Sequence, residues 1–216
     1  MSDLHDRLEP LYVIADCACA AGAGRNVVEA VDRSLKGGAR FFQLRDKEGP
    51  VIETWEYGRR VAALCSEPGA DLLVNDRADL AVSLNAAGVH RPWRGLPLSA
   101  IRQVCGQDAL VGVSTHGRDE LDAAVGAGAD FVTLSPVFEV TSKPDAGEPL
   151  GVERFGQMAR SVDIPVFALG GITPERVEAC MEAGAFGVAV MSGIVAADDP
   201  EEATRSYLEV LSDLSF

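Results

Sequence analysis

The clearest pattern along the chain is a short Gly/Ala segment followed at once by a run of apolar residues. Glycine ends a helix without a steric penalty, because it lacks a Cβ atom. A continuous apolar run of four to six residues is typical of a strand that is buried on both faces. The pattern therefore predicts strands that each follow the end of a helix. Its five copies are Gly37–Ala39 before Phe41–Leu44, Gly69–Ala70 before Leu72–Val74, Ala86–Gly88 before Val89, Gly126–Ala129 before Phe131–Leu134, and Gly184–Ala185 before Val188–Val190.

The segments between these runs have the periodicity of helices. Apolar residues recur there at spacings of three and four, as in residues 51–64 and 121–125. Two helix starts are marked by a capping residue followed by a proline, at Thr173-Pro174 and Asp199-Pro200.

The predicted strands number eight, and a helical segment follows each of them. Strict alternation of strands and helices implies parallel pairing with right-handed crossovers. Eight such units in about 200 residues predict an α/β fold, a (β/α)8 TIM barrel that forms a single domain over residues 1–216. An open, doubly wound sheet is the alternative, and the eighth strand argues against it. The strands are predicted near residues 11–15, 40–45, 71–75, 88–90, 110–114, 130–135, 164–169 and 186–191.

Composition and charge narrow the class of partner. A formal net charge of −14 opposes binding to nucleic acid or to an anionic membrane, so an anionic ligand needs a local cluster of cations. No apolar run is long enough to span a bilayer and no signal-peptide pattern is seen, which predicts a cytoplasmic protein. The five cysteines fit no zinc or redox spacing, and no role is assigned to Cys17 and Cys19. The oligomeric state stays open, a homo-oligomer included.

In a (β/α)8 barrel the active site lies at the carboxyl ends of the strands, so the residues there are the candidates for chemistry. After strand 2, Arg45 and Lys47 have the charge to bind a phosphate or diphosphate. After strand 3, Asp76 suits Mg²⁺, which prefers oxygen ligands and often bridges a carboxylate to a substrate phosphate. Capping of the next helix is an equal alternative for Asp76.

Histidines follow strands 4 and 5. Histidine can transfer protons near neutral pH, but a structural, hydrogen-bonded role is the better interpretation for His90. For His116 the two interpretations stand level. The irregular segment 136–150 predicts a mobile loop at the active site, and its Thr141-Ser142-Lys143 suits closure over an anion.

Glycine-containing turns follow strands 7 and 8. Gly170-Gly171 and Ser192-Gly193 stand where this fold places a phosphate, which is held by backbone N–H groups. Together with Arg45, Lys47 and Asp76, these turns predict two anion sites on one rim. We therefore hypothesise a site for two small-molecule substrates that both carry phosphate.

The chain resembles the thiamine phosphate synthase and TenI family over residues 11–196. The motifs that carry the resemblance are Gln43–Lys47, Val74–Arg77, Gly112–His116, Ser135–Phe138 with Thr141–Lys143, Ala168–Pro174 and Gly187–Ile194. The resemblance implies a (β/α)8 barrel of thiamine biosynthesis. The synthase joins hydroxymethylpyrimidine diphosphate to a thiazole phosphate carboxylate, with release of pyrophosphate and CO2.

The resemblance also implies roles for individual residues. Asp76 would bind Mg²⁺, and Lys143, Ser114 and His116 are the candidates for catalysis. The residues that would hold the pyrimidine diphosphate are Gln43, Arg45, Lys47, Asn75, Ser114 and Lys143. The thiazole phosphate would be held by Gly171, Met191 and Ser192, and Ser142 and Gly170 are further substrate-binding candidates.

One departure from the synthase pattern bears on the metal. The synthases carry a second Mg²⁺-binding Asp after strand 4, and that position falls on Gly95 here. Arg91 or Arg94 would then replace part of the missing charge. The same departure is typical of TenI-type thiazole tautomerases, which shift a proton without a metal and for which His116 would be the acid–base group. The synthase remains the first hypothesis, the tautomerase the second, and a phosphate-binding barrel without catalysis the third.

Overall fold

The computed structural model of the protein describes residues 8–140 and 147–214. Eight parallel strands form a closed barrel in sequence order, because β1 pairs with both β2 and β8. The predicted (β/α)8 barrel is thereby confirmed and the open sheet is excluded. The strands are β1 Leu11–Asp16, β2 Phe41–Arg45, β3 Asp71–Asn75, β4 Gly88–Arg91, β5 Leu110–Thr115, β6 Phe131–Leu134, β7 Val166–Leu169 and β8 Gly187–Val190.

The helices surround the barrel on its outer side. Within the described residues, two short helices, α1 and α9, add to the one helix that follows each strand. The helices are α1 Cys17–Gly22, α2 Val27–Lys36, α3 Val51–Ser66, α4 Ala78–Ser83, α5 Leu98–Cys105, α6 Arg118–Gly126, α7 Gly151–Ala159, α8 Pro174–Glu182, α9 Ser192–Val195 and α10 Pro200–Asp213. None of the helices in the described part of the chain has the length and apolarity to cross a membrane.

The helix starts follow the predicted chemistry in part. The Asp199 side chain accepts hydrogen bonds from the backbone N–H groups of Glu201 and Glu202, and Pro200 begins α10. Thr173 precedes Pro174 in α8, but its hydroxyl does not cap the helix, because it is engaged with the carboxylate of Glu175.

The helix-capping alternative for Asp76 is wrong. The residue that precedes α4 is Arg77, and no side chain caps this helix. Asp76 has a left-handed backbone with φ of +63°, a conformation that costs a non-glycine residue free energy. Its carboxylate is therefore outside the helix and at the end of β3.

Two separate cores divide the apolar side chains. Outward-facing residues of the strands pack against the helices, whereas inward-facing residues fill the barrel. The interior near the amino ends of the strands is aromatic. Tyr12 is stacked on Phe41 at 4.3 Å between ring centroids, and Phe131 is edge-on to Phe167 at 5.5 Å. Gly112 makes room for this cluster, because a Cβ atom there would lie 2.3 Å from the Phe131 ring. The barrel is thus a filled core whose polar residues collect at one end.

Candidate active site

The carboxyl ends of β2 and β3 border a cavity of about 330 Å³. Lys47, Asn75 and Asp76 line it, as predicted from their positions after these strands. A groove of about 430 Å³ lies elsewhere, between α7 and α8 on the outside of the barrel. Since catalytic groups of this fold come from strand ends, we assign the site to the smaller cavity.

Arg45, at the end of β2, is paired with a carboxylate. Its guanidinium forms an ion pair with the carboxylate of Asp16, which stands beside it in register at the end of β1. Asp16 is buried and also accepts a hydrogen bond from the backbone N–H of Cys19 at 2.8 Å. The pair therefore holds Arg45 in one place on the rim. Sequence reasoning missed Asp16, because nothing in its local pattern shows which cation it meets.

Asp46 has its carboxylate committed to its own loop. One oxygen accepts from the Gly49 backbone N–H at 2.9 Å, and the other accepts from the Thr54 hydroxyl at 2.9 Å. This carboxylate organises the connection between β2 and α3, and Lys47, which lies in this connection, lines the cavity.

Asp76 and Gly95 face one another across the rim. The backbone N–H of Asp76 donates to the His90 carbonyl at 2.9 Å, which ties the ends of β3 and β4 together. A Cβ atom added to Gly95 would lie 2.8 Å from Oδ1 of Asp76. A side chain at position 95 would therefore meet the carboxylate directly.

The residues present fit Mg²⁺ in one way. The described residues hold no group of three or more His, Cys, Asp or Glu side chains that converge on a metal. Mg²⁺ is nevertheless commonly bound by one or two carboxylates together with substrate phosphates and water. Asp76 offers one carboxylate for this mode, in which substrate phosphates and water would be the other ligands.

A chain of hydrogen bonds crosses the interior just below the rim. Nε2 of Gln43 donates to the Tyr12 hydroxyl at 3.0 Å, Tyr12 contacts Nδ1 of His90 at 3.2 Å, and Nε2 of His90 contacts Oγ of Ser114 at 3.0 Å. Burial lowers the pKa of His90 to about 3, with a further contribution from the positive charge of Arg45. The structural interpretation of His90 as a buried, hydrogen-bonded histidine is confirmed.

The Gly170-Gly171 turn packs against the connection that follows β6. Both glycines have left-handed backbones, and a Cβ atom on Gly171 would lie 2.5 Å from the Glu139 carbonyl oxygen. Arg176 holds the same corner, because it donates to the Gly171 carbonyl and lies 4.7 Å above the Phe138 ring. This contact brings the turn after β7 and the residues before the long loop to one place.

The turn after β8 lies next to this corner in the barrel. Met191 precedes α9 and Ser192 begins it, with Ser192 exposed. Arg25 supports the far end of α9 by donating to the carbonyls of Val195 at 3.1 Å and Asp198 at 3.3 Å. Sequence reasoning missed Arg25, whose acceptors are 170 and 173 residues away.

Comparison with known proteins decides the family. Residues 11–194 match the family model described as thiamine monophosphate synthase. The chain belongs to the thiamine monophosphate synthase family. This family membership confirms the resemblance seen in the sequence motifs.

Members of the family resemble this chain over nearly its whole length. A putative thiamine-phosphate synthase of Geobacter sulfurreducens is 42% identical over 201 residues, which cover 93% of each chain. A thiamine-phosphate synthase of a Roseiflexus species is 39% identical over 94% of this chain and 85% of its own. The solved thiamine phosphate pyrophosphorylase from Pyrococcus furiosus is 30% identical, with a TM-score of 0.88 over 99% of this chain and 100% of that one.

Three further predicted site residues are His116, Ser142 and Lys143. His116 is exposed just after β5, where its Nδ1 atom and its backbone N–H both lie 2.9 Å from a carboxylate oxygen of Glu120. Ser142 and Lys143 lie outside the described residues.

The connection after β4, where the chain departs from the family pattern, is closed by Arg91. Its guanidinium donates to the carbonyls of Leu96 at 2.6 Å and Gly95 at 3.1 Å, and it lies 5.8 Å from the centroid of the Trp93 ring. Arg91 is therefore occupied with its own loop rather than aimed at the cavity as a substitute cation. Arg94 is exposed.

Cys17 and Cys19 lie in α1 behind the Asp16–Arg45 pair. Burial and the nearby carboxylates of Asp46 and Asp16 raise the pKa of the Cys17 thiol to about 12, and burial also raises the pKa of Cys19. Both thiols are therefore protonated near neutral pH and poor nucleophiles.

Proposed function

We propose that this protein is a thiamine-phosphate synthase that joins a pyrimidine diphosphate to a thiazole phosphate and releases pyrophosphate. The observation that carries the proposal is the cavity lined by Lys47, Asn75 and Asp76 at the ends of β2 and β3, in a chain about 40% identical to named synthases. We further propose that it acts in the cytoplasm on small phosphorylated substrates, and that residues 1–216 form one domain.

The diphosphate would bind between the ends of β2 and β3. Arg45, held by Asp16, and Lys47 would contact its oxygens, because both cations stand at this end of the barrel. Asp76 would hold Mg²⁺, which when bound neutralises charge on the diphosphate. Gln43, Asn75 and Ser114 would orient the pyrimidine, and Ser142 and Lys143 would approach from the loop.

The thiazole phosphate would bind at the turns after β7 and β8. Gly170 and Gly171 bring backbone groups to the corner held by Arg176, and Met191 and Ser192 border it at the next strand. In the reaction the C–O bond to pyrophosphate breaks with its electron pair on oxygen, and the thiazole nitrogen then bonds to the pyrimidine carbon. The C–C bond to the thiazole carboxylate breaks as CO2 leaves, and its electron pair stays in the thiazole ring. The protein contributes binding, orientation and the fixed positive charge of Arg45 and Lys47.

The decisive experiment is the coupling reaction with and without EDTA. We expect thiamine phosphate to form from both substrates in Mg²⁺ and to be lost in EDTA. Lys47→Ala should reduce kcat/KM by at least about tenfold, because one charge-assisted contact to the leaving group contributes on the order of 1.5–3 kcal/mol. Coupling that persists in EDTA, or that is unchanged in Lys47→Ala, would contradict these roles.

A second candidate is a TenI-type thiazole tautomerase. The observation in its favour is Gly95 opposite Asp76, where a second carboxylate would otherwise help to bind the metal. In that reaction His116 would transfer the proton, with Glu120 orienting its ring. A change in the thiazole tautomer ratio without metal, lost in His116→Ala and kept in Lys47→Ala, would establish it. Binding of thiazole phosphate with neither reaction would instead indicate the binding barrel.

A further inference from the structure

Tyr12 and His90 are two buried residues to which the sequence motifs assign no contact with substrate. They connect Gln43 and Ser114, and the proposed function assigns both of these to the substrate. Tyr12 is 0% exposed and His90 is 2% exposed, and they bridge Gln43 on β2 to Ser114 on β5 through the interior of the barrel. The rings of Phe41 and Phe131 flank Tyr12, and Phe131 also flanks His90. This packing leaves Tyr12 and His90 little freedom to take other partners.

The hydrogen bonds that link Gln43, Tyr12, His90 and Ser114 run in one direction once the amide nitrogen of Gln43 faces Tyr12. The amide nitrogen of Gln43 can only donate, so the Tyr12 oxygen accepts from it. If the Tyr12 oxygen also accepted from His90, its own buried proton would be left without an acceptor, so we infer that the Tyr12 hydroxyl donates to Nδ1, which then carries no proton. A neutral imidazole must then carry its proton on Nε2, which donates to the Ser114 oxygen. In the described part of the chain, the hydrogen bonds of the His90 ring go to Tyr12 and Ser114 and to no carboxylate, so burial favours the neutral ring.

We propose that Tyr12 and His90 are positioning residues that determine which hydrogen-bonding groups Ser114 and Gln43 present to the substrate. The proposal rests on the proposed function, because Ser114 and Gln43 act there as substrate contacts. Since the Ser114 oxygen accepts from His90, its own proton points away from His90 and Ser114 meets the ligand as a donor. Since one of the two Nε2 protons of Gln43 is bound to Tyr12, the orientation of the amide is fixed, and Oε1 is the Gln43 acceptor left for the ligand.

The inference defines the chemistry of the ligand at these two points. The substrate atom at Ser114 must accept a hydrogen bond, and the group at Gln43 must donate one. A ligand with the opposite arrangement would leave buried polar groups unpaired, which costs more free energy than an ordinary hydrogen bond contributes. Tyr12 and His90 therefore select the orientation of the substrate through Gln43 and Ser114, without contacting the substrate themselves.

The position of the proton on His90 tests the direction and does not depend on any activity. The chain contains three histidines, so nitrogen-15 NMR of the histidine-labelled protein resolves each ring, and His90→Gln identifies the His90 signals. We expect His90 to be neutral with its proton on Nε2. A proton on Nδ1 would reverse the hydrogen bonds at both ring nitrogens and overturn the proposal, as would a doubly protonated ring.

Steady-state kinetics of the coupling reaction test the positioning role. His90→Gln keeps an N–H group that reaches towards Ser114, whereas His90→Met has a similar length without a donor. We expect kcat to fall by roughly three- to tenfold in His90→Met and in Tyr12→Phe, the effect of one hydrogen bond, with His90→Gln retaining more activity. The KM for thiazole phosphate should change little, because its proposed cradle lies at β7 and β8.

A double-mutant cycle separates positioning from a general structural effect. In a Ser114→Ala background, His90→Gln and His90→Met should have equal kcat, because their difference acts through Ser114. Thr115→Val is the matched control, since its buried hydroxyl donates to the Thr133 carbonyl at 3.0 Å on the same strand as Ser114. It should lower stability and leave kcat unchanged.

Two results would overturn the positioning role. One is a His90→Gln to His90→Met ratio that persists in Ser114→Ala. The other is an unchanged kcat in Tyr12→Phe, a substitution that removes one oxygen and so keeps the proposal testable if the His90 variants fail to fold. A wild-type protein without coupling activity would count against the proposed function, while the NMR result would still decide the direction of the chain.

Discussion

Gly95 illustrates how one residue can set the metal affinity of a site. An added Cβ atom there would lie 2.8 Å from Oδ1 of Asp76, and Gly95 has no left-handed backbone that would exclude a side chain. The same Cβ atom would lie 2.9 Å from Cγ of Arg91 and 3.2 Å from Cδ of Pro92, so a carboxylate at this position requires the side chains of Asp76 and Arg91 to shift. Glycine at this position leaves Asp76 as the carboxylate that we propose for Mg²⁺.

Gly95→Asp should tighten Mg²⁺ binding in the presence of pyrophosphate by about fivefold or more. A second carboxylate within about 4 Å of the cation contributes on the order of 1–4 kcal/mol at effective dielectric constants between those of water and a protein surface. Isothermal titration calorimetry measures this affinity, and Gly95→Asn serves as the uncharged control of equal size. Equal affinities in the two variants would contradict the placement of the cation beside Asp76.

His90 should make stability depend on pH in a way that a substitution removes. Its pKa is about 3 in the folded protein and near 6.5 when the chain unfolds, so the unfolded state binds more protons between these values. Stability therefore falls as the pH falls below 6.5, by up to about 1.4 kcal/mol per pH unit from this group. Denaturant unfolding at pH 7.5 and 5.5 measures the loss, which should be smaller in His90→Gln. Equal losses in both proteins would show that His90 titrates normally.

At the scale of elements, the rim is assembled by contacts between connections rather than by the strands alone. The Gly170-Gly171 turn after β7 lies against Pro136 and Glu139, which follow β6, and Arg176 at the start of α8 holds the two together. The close approach requires glycine twice over, because the backbone is left-handed and no space remains for a Cβ atom. The proposed thiazole phosphate cradle depends on this contact.

Gly171→Ala should separate these two connections and raise the KM for thiazole phosphate. The strained backbone costs on the order of 1–3 kcal/mol, and the clash with the Glu139 carbonyl adds to it. Gly128→Ala is the matched control, since Gly128 also has a left-handed backbone, with φ of +83°, but nothing within 4 Å of an added Cβ atom. Both should lower the denaturation midpoint, and Gly171→Ala alone should raise KM; an unchanged KM would place the phosphate elsewhere.

At the scale of the whole molecule, a strongly acidic chain carries at the rim of its barrel the cations Arg45 and Lys47, which we propose bind phosphate. The net charge of −14 creates repulsion across the surface, whereas Arg45 is paired with a buried carboxylate inside the rim. Exposed charges are screened by salt over about 8 Å at physiological ionic strength, and buried pairs are screened much less. Salt should therefore relieve the surface repulsion and leave the Asp16–Arg45 pair intact.

Thermal stability should rise when sodium chloride is increased from low to physiological concentration at pH 7. The cause is screening of the repulsion between acidic groups, which opposes the compact state. Differential scanning calorimetry measures the shift, and the same titration near pH 5, close to the sequence pI of about 4.6, is the control in which the shift should largely vanish. A fall in stability with salt at pH 7 would show that attractive surface pairs dominate.

Much of the architecture follows from the sequence by itself. Eight apolar runs, each after a helix-ending Gly/Ala segment or a turn, predict eight buried parallel strands, and this number favours closure over an open sheet. The motifs after strands 2, 3, 5, 7 and 8 indicate the family and place Lys47, Asn75 and Asp76 at one rim. These features are local, because strand periodicity and turn chemistry are set by neighbouring residues.

Only the tertiary structure decided which distant groups meet. Barrel closure brings Tyr12 to His90 across 78 positions of sequence, Arg25 to the end of α9 and Gly95 to Asp76. Arg45 finds Asp16 because β1 and β2 pair in one particular register, and a shift of one residue would turn these side chains to opposite faces. Local sequence patterns do not specify this register. The direction of the interior hydrogen bonds and the approach of Asp76 to Gly95 therefore depend on the tertiary structure of the barrel.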